Sequence, residues 1–316
     1  MRRCLLGLVM ASALWGGAVC GTKYALGGFG PVTLLAVALA AAAAVLWMAL
    51  LARGYRAPRV WWLPILLGLL EPALAYLGDT LGLSITSAVH GALLSGLESA
   101  LVVVLAAVLL REVIRAAAVL AVLMAMAGLA VLAGTDGGHG TAAGDLLVAG
   151  GVLSASLYTI VAKRFDDGSD PLSLTTWQFT TAAAVTGGIM AARWATGAER
   201  LPTAVPPRFW LAAGLVGVAG YGASFVLFNS VISRVGATQA AVVLNLIPVF
   251  AFGGATVFLG EGVTRGDLGG AALVGLSVVY FTIADNRAAA PQLPPPAGSD
   301  AGDAGGAVFQ VADEAL

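Results

Sequence analysis

The sequence predicts an all-α integral membrane protein in which ten transmembrane helices form two inverted five-helix repeats. Composition, the length of the apolar runs and an internal echo carry this expectation. Of 316 residues, 59% are hydrophobic and only 10% charged, with a mean hydropathy of +0.93, whereas soluble domains carry about 25% charge. Apolar runs of about 20 residues, enough to cross a hydrocarbon core of roughly 30 Å as helices, recur through most of the chain. Runs such as ALVVVLAAVLL (100 to 110) lack the in-out alternation of lipid-facing strands. Helices, which satisfy their own backbone, are the remaining way to span a bilayer.

The first span, 4 to 26, follows Arg2 and Arg3. Two Arg before an apolar run also describe a secretory signal, but nine further spans favour a retained helix. Cys4 and Cys20 both lie on it, sixteen residues or about 24 Å apart, too far to bridge. The second span is 31 to 52. The third, 61 to 82, carries Glu71, Pro72 and Asp79; the fourth, 86 to 109, carries His90 and Glu98; the fifth is 116 to 133. After the flexible GTDGGHGTAAGD (134 to 145), the remaining spans are 145 to 164 with Tyr158, 171 to 192 with Gln178, 209 to 232 with Asn229, 237 to 259 with Asn245 and Pro248, and 267 to 284. The Pro/Gly/Ala/Asp-rich segment 286 to 316 cannot bury a core and is expected to be a disordered cytoplasmic tail.

Basic residues set the expected orientation. With the N-terminus in the cytoplasm, alternation places Arg2, Arg3, Arg53, Arg56, Arg59, Arg111, Arg115, Lys163, Arg164, Arg234 and Arg287 inside. Arg193, Arg200, Arg208 and Arg265 are left outside, an 11 to 4 bias that predicts both termini in the cytoplasm of a multi-pass cell-membrane protein. A net charge of −1 gives no footprint for nucleic acid. Neither the two Cys nor the separated His90 and His139 have a metal-ligand spacing, so no metal or cofactor is expected.

The echo joins SGLESALVVVLAAVLLRE (95 to 112) to LNLIPVFAFGGATVFLGE (244 to 261), aligned without a gap at an offset of 149 with five identities in 18. LWGGAVCGTK (14 to 23) likewise matches SASLYTIVAK (154 to 163), with Lys23 and Lys163 in register, and Asp79 falls where Asn229 does. Each half then holds five spans, and an odd number forces opposite insertion. Inverted repeats of this kind mark secondary transporters that alternate access around a midplane site.

ALWGG with Lys23 eight residues after Trp15, GATQAAVVLNLIPVF opening the ninth span, FLGE closing it, and GDLLVAGGVLSASLY starting the second half together resemble the EamA-domain members of the drug/metabolite transporter superfamily, over roughly residues 5 to 285. The resemblance implies one EamA-type five-helix repeat over 1–134, a connecting loop at 135–143, a second repeat over 144–285, and export or exchange of small metabolites. It also marks Trp15 as cavity-lining. Two departures stand out: Glu98-Ser99 occupies the place of an expected Pro in the fourth span, and Ala155 the place where the second half often has Trp.

Counting 1.5 Å per residue puts Glu71 about 15 Å and Glu98 about 18 Å deep, near the midplane of a roughly 30 Å core. A charged carboxylate there costs several kcal/mol, roughly 2.5 to 3.5 for Asp on the insertion scale, so a protonated acid is the cheaper state. Such a site holds a proton and releases it when solute or water arrives, which makes Glu98, with Glu71, the expected site of the coupling proton or of a cationic solute group. For Glu71 a second reading stands beside this one: a hydrogen bond to the carbonyl that Pro72 leaves free. Trp15, Tyr158, Gln178, Asn229 and Asn245 complete the expected cavity, since amides in hydrocarbon face protein or a water-filled path, and Pro248 is expected to open the ninth helix beside it.

Lys23, Asp79 and His90 fall near the outer rim. His90 and Asp79 flank one short turn and are expected to pair as a pH-sensitive outer gate, with interfacial snorkelling as the plain alternative, above all for Lys23. Glu112 and Glu261 close equivalent spans and are expected to cap the next helix or to pair with Arg111, Arg115 or Arg265. The chain has no HExxH, GxSxG or phosphate-binding loop, so no enzymatic activity is expected. The expected partners are a small solute, amino-acid-like, amine-bearing or amphipathic, together with protons and the bilayer. A membrane-embedded enzyme or a receptor or scaffold without transport is the rival reading; movement of labelled solute across sealed vesicles separates them.

Overall fold

The structure is a computed structural model and describes residues 2–109, 116–133, 141–165, 168–232 and 246–289. Every regular element among these residues is helical. Helix α1 covers Arg2–Ala25 and α2 Pro31–Ala52, the latter opened by Pro31 in its first turn, where a missing N–H costs nothing.

The third span bends. Helix α3, Trp62–Gly68, passes through a π-helical turn at Leu69–Leu74 into α4, Ala75–Ile85. At the bend Glu71 is extended, φ −148° and ψ 125°, as expected of a residue whose α conformation is disfavoured by the proline that follows. The predicted unbroken fourth span is also two helices. Helix α5 (Ala88–Ser95) ends in a tight turn in which Gly96 and Leu97 donate to Leu93 and Leu94, and α6 (Glu98–Leu109) starts anew. Ser95 and Gly96 are poor helix formers, so the chain breaks there, and Glu98 opens a helix instead of lying in the middle of one. An anion in a first turn faces the positive end of the helix dipole.

Helix α7 covers Ala116–Ala133, α8 Ala142–Arg164 and α9 Pro171–Ala195. The eighth span repeats the π-helical stretch of the third: α10 (Pro207–Leu215) runs through Val216–Ala223 into α11 (Ser224–Ile232). The end of the ninth span forms α12, Ile247–Phe258, and the tenth forms α13, Arg265–Ala289. Glu112, Arg111, Arg115, His139, Asn245, the linker between α7 and α8 and the acidic tail lie outside the described residues.

Five stretches among the described residues are long and apolar enough to cross a membrane: Leu6–Ala25, Pro31–Ala52, Trp62–Ile85, Ala142–Ala162 and Pro207–Phe228. Helix α9 has the length but is rich in hydroxyls, which satisfy themselves by donating one turn back: Thr176 to the Leu172 carbonyl, Thr180 to Thr176, Thr181 to Trp177 and Thr186 to Ala182.

The most extensive helix pairings are α7 with α13, α4 with α8, α2 with α9 and α1 with α12. In the α4–α8 pair, backbones touch through small residues. A Cβ added at Gly78 would lie 2.7 Å from the Leu147 carbonyl oxygen, and one at Gly82 2.6 Å from that of Gly144, so only glycine permits this approach. The main core gathers Leu39, Leu46, Leu67, Phe179 and Phe225 from α2, α3, α9 and α11.

Candidate functional site

The bends bring three acids together. Glu71 sits at the first π-helical turn, Asp79 two turns further along α4, and Glu98 at the start of α6. The charge of Glu98 acts on both Glu71 and Asp79, so the three carboxylates occupy one electrostatic neighbourhood. Each keeps some accessible surface. Among the described residues none of the three carboxylates has a hydrogen bond or an ion pair. The alternative expected for Glu71, a hydrogen bond to a backbone carbonyl freed by Pro72, is therefore not made; at the same bend the Leu70 carbonyl accepts both the Ala75 N–H and Ser154 Oγ, the latter at 2.8 Å.

Aromatic rings share this neighbourhood. Trp15 donates its indole N–H to the Tyr76 hydroxyl at 3.2 Å and stands edge-on to Phe225 and Phe228, with centroids 5.4 and 5.7 Å away. Tyr76 stacks on Tyr221 at 4.1 Å, and the Tyr221 hydroxyl shares a 3.1 Å hydrogen bond with Thr22. Tyr158 meets Phe225 from the other side. The charge of Glu71 reaches Tyr76 and Tyr158, and that of Asp79 reaches Tyr221. Gln178 lies beside Tyr158, wholly buried, with neither amide atom in a hydrogen bond of normal geometry. A buried amide left unpaired costs about 1 to 3 kcal/mol, and the Tyr158 hydroxyl is the polar group beside it. Of the expected site residues, Glu71, Glu98, Trp15, Tyr158 and Gln178 thus meet in one region. Sequence reasoning missed Tyr76 and Tyr221; the signal was a phenol inside an apolar span, whose hydroxyl needs a partner there. Asn229 lies on α11 with its side chain outside what the structure describes, as Asn245 is entirely. Pro248 lies in the first turn of α12, where proline is tolerated.

The expected rim pair does not form. Asp79 belongs with the interior acids, and His90 instead lies between two other carboxylates: its Nδ1 is 3.0 Å from Asp145 Oδ2 and its Nε2 is 3.1 Å from Asp267 Oδ1. Asp145 and Asp267 were not singled out from the sequence, because an acid in the first turn of a helix is commonplace. Lys23 does not snorkel: its ammonium donates to the carbonyls of Leu83, at 2.8 Å, and Thr86, closing the end of α4. Glu261 caps a distant helix, accepting from the backbone N–H groups of Ala88 and Val89 at 3.0 Å each, in place of the next helix or an arginine.

A cavity of about 420 Å³ lies between α1 and α12, walled by Ala13, Gly17, Cys20, Gly21 and Gly254, and another of about 320 Å³ lies at Arg53, Arg56 and Asp170. Neither contains an interior acid. The first offers a solute little polar recognition, so the acid and tyrosine cluster is the stronger candidate site.

The sequence profile of the EamA-like transporter family matches residues 2–134 and again 142–283. The uncharacterized transporter YyaM of Bacillus subtilis (strain 168) is 28% identical over 174 residues, 53% of this chain; the match spans 56% of that relative, little more than half its length. A chain described as "Crystal structure of protein" superposes with a TM-score of 0.64 at 22% identity, over 92% of this chain and 99% of that one, a likeness of fold.

Proposed function

This chain belongs to the EamA-like transporter family, a membrane solute transporter by that membership, and we propose that it is a secondary carrier exporting or exchanging an amine-bearing small solute by alternating access, with proton coupling. Two inverted five-helix units, residues 1–134 and 144–285 joined by 135–143, enclose the site. The packing supports this reading. The contact of α4 with α8 has its counterpart in α10 and α11 on α1; that of α1 with α12 has its counterpart in α8 on α5 and α6; α2 with α9 and α7 with α13 pair across the halves. A two-fold exchange of the halves maps each contact onto the other. Both third spans also pass through a π-helical stretch, and the family profile matches twice, with bounds close to those of the two units.

The observation that carries the solute class is the meeting of Glu71, Asp79 and Glu98 in the neighbourhood of Tyr76, Tyr158 and Tyr221, with no basic side chain bonded to any of the acids among the described residues. Carboxylates away from water require a counter-charge or a proton, and aromatic faces favour cations. An amine answers both needs, Gln178 offers a donor and an acceptor to a neighbouring polar group, and a proton takes the amine's place on the return step. Both termini face the cytoplasm of the cell membrane in this reading, as the excess of inner Arg and Lys requires. The test is uptake of a panel of labelled amines, amino acids and organic anions into proteoliposomes under an imposed pH gradient. The proposal expects gradient-dependent accumulation of amines; accumulation of organic anions alone contradicts the solute class.

A further inference from the structure

The contacts of His90 determine a proton count. Asp145 Oδ1 and Oδ2 lie 3.1 and 3.0 Å from Nδ1, and Asp267 Oδ1 lies 3.1 Å from Nε2. A carboxylate only accepts, and a neutral imidazole has a single N–H, so two carboxylates facing two ring nitrogens require one proton beyond the neutral ring. Each acid also accepts a hydrogen bond from its own surroundings. Asp145 accepts from the Thr86 hydroxyl, and Asp267 Oδ2 accepts from the Thr264 N–H at 2.8 Å. Each lies in the first turn of its helix, α8 and α13, where the dipole favours an anion. The extra proton therefore belongs to the ring.

All three side chains are buried, with relative exposures of 4% for His90, 2% for Asp145 and 4% for Asp267. They tie together the starts of α5, α8 and α13, which join the two halves at one membrane face. Among the described residues, the other charged or titratable groups facing α5 are Glu261, capping its N-terminus, and, from α1, Lys23 on the end of α4 and the Cys20 thiol. Asp79 of α4 lies with the interior acids, and Arg265 at the start of α13 is exposed.

We infer that Asp145, His90 and Asp267 form a second proton-binding site, separate from the interior acids, in which a doubly protonated imidazole clamps α5, α8 and α13 shut and release of its proton frees that face to open. Loss of the proton from either ring nitrogen to water turns that nitrogen into an acceptor opposite a carboxylate lone pair, replacing an attraction with a repulsion in a place of low dielectric. The inference rests on the transport reading for its purpose but not for its test.

The chain has two histidines, His90 and His139, so in a His139→Gln variant carrying 15N-histidine, His90 is the single reporter. Nitrogen NMR of the full chain in nanodiscs is expected to show both ring nitrogens protonated at neutral pH; a neutral tautomer there overturns the inference. A second measurement follows opening. In a Cys4→Ser, Cys20→Ala background, Ala92→Cys reports access to a buried position on α5 and Ser84→Cys, on the exposed end of α4, is the control. Labelling by a membrane-impermeant maleimide, taken as the ratio of the two rates so that thiol ionisation cancels, is expected to rise at least about tenfold between about pH 6 and about pH 9. His90→Gln is expected to flatten this profile, and Asp267→Asn to leave the face open throughout. A flat profile in the parent, or an unchanged one in His90→Gln, contradicts the inference. Neither readout uses a solute, so failure to find a transported compound counts against the transport reading alone.

Discussion

Glu199 Oε2 accepts hydrogen bonds from both the backbone N–H and the hydroxyl of Thr33, at 2.9 and 2.7 Å, while its Oε1 takes the Val32 N–H at 3.0 Å. A side chain from the loop after α9 thereby caps the first turn of α2, 166 residues away in sequence. Glu261 does the same for α5. Both acids hold helix starts in place, which sets them apart from the interior acids Glu71, Asp79 and Glu98.

The Glu199 cap makes stability depend on pH. Burial pushes its carboxyl up, but the hydrogen bonds from Thr33 and Val32 and the adjacent Arg193 outweigh burial and hold it below the ordinary value of 4.5. A depressed carboxyl contributes stability above its unfolded value and loses it as pH falls through the folded one. Thermal melts in detergent should therefore drop below about pH 4.5, and Glu199→Gln should melt lower at neutral pH, by about 0.5 to 2 kcal/mol, with a weaker acid dependence.

Removing the Tyr76 hydroxyl separates recognition from folding. Tyr76→Phe keeps the stack on Tyr221 but leaves the Trp15 indole N–H without its acceptor, a loss of about 1 to 3 kcal/mol where the group is buried. KM for the transported amine is expected to rise by up to about tenfold with little change in maximal rate. A change in maximal rate alone would place Tyr76 outside the site.

Glycine contacts supply a paired test of packing. A Cβ at Gly151 would lie 2.5 Å from the Ala75 carbonyl oxygen and 3.3 Å from Asp79 Oδ1, whereas one at Gly150 meets nothing within 4 Å. Gly151→Ala should lower stability by about 1 to 3 kcal/mol through overpacking and reduce transport by shifting Asp79. Gly150→Ala should raise stability by roughly 0.5 to 1 kcal/mol, as expected for a helix interior. Thermal shift and initial uptake rates check both.

The order of the helices was legible because apolar runs of spanning length are conspicuous, whereas Pro72 signalled only a freed carbonyl and not the place of the first bend. The break at Gly96 was not legible, since the run on either side is uniformly apolar and only Ser95 and Gly96 weaken it. The partners of His90 were hidden by distance: Asp145 and Asp267 lie 55 and 177 residues away, and no periodicity relates them. Glu71, Glu98, Trp15, Tyr158 and Gln178 stood out as polar or aromatic groups in apolar surroundings. Their convergence depends on two helix bends that bring separate spans together. The pairing of Lys23 with helix-end carbonyls was equally invisible, because backbone acceptors leave no mark in a sequence.

The most direct test of the coupling role assigned to the interior acids is solute-driven proton flux in proteoliposomes loaded with a pH-sensitive dye, compared among the parent chain, Glu98→Gln and Glu71→Gln at equal protein density. Glutamine keeps the shape and removes the titrating group. The account predicts solute-driven acidification or alkalinisation in the parent and its loss in Glu98→Gln, with Glu71→Gln reduced. Undiminished proton movement per solute in both variants would contradict it.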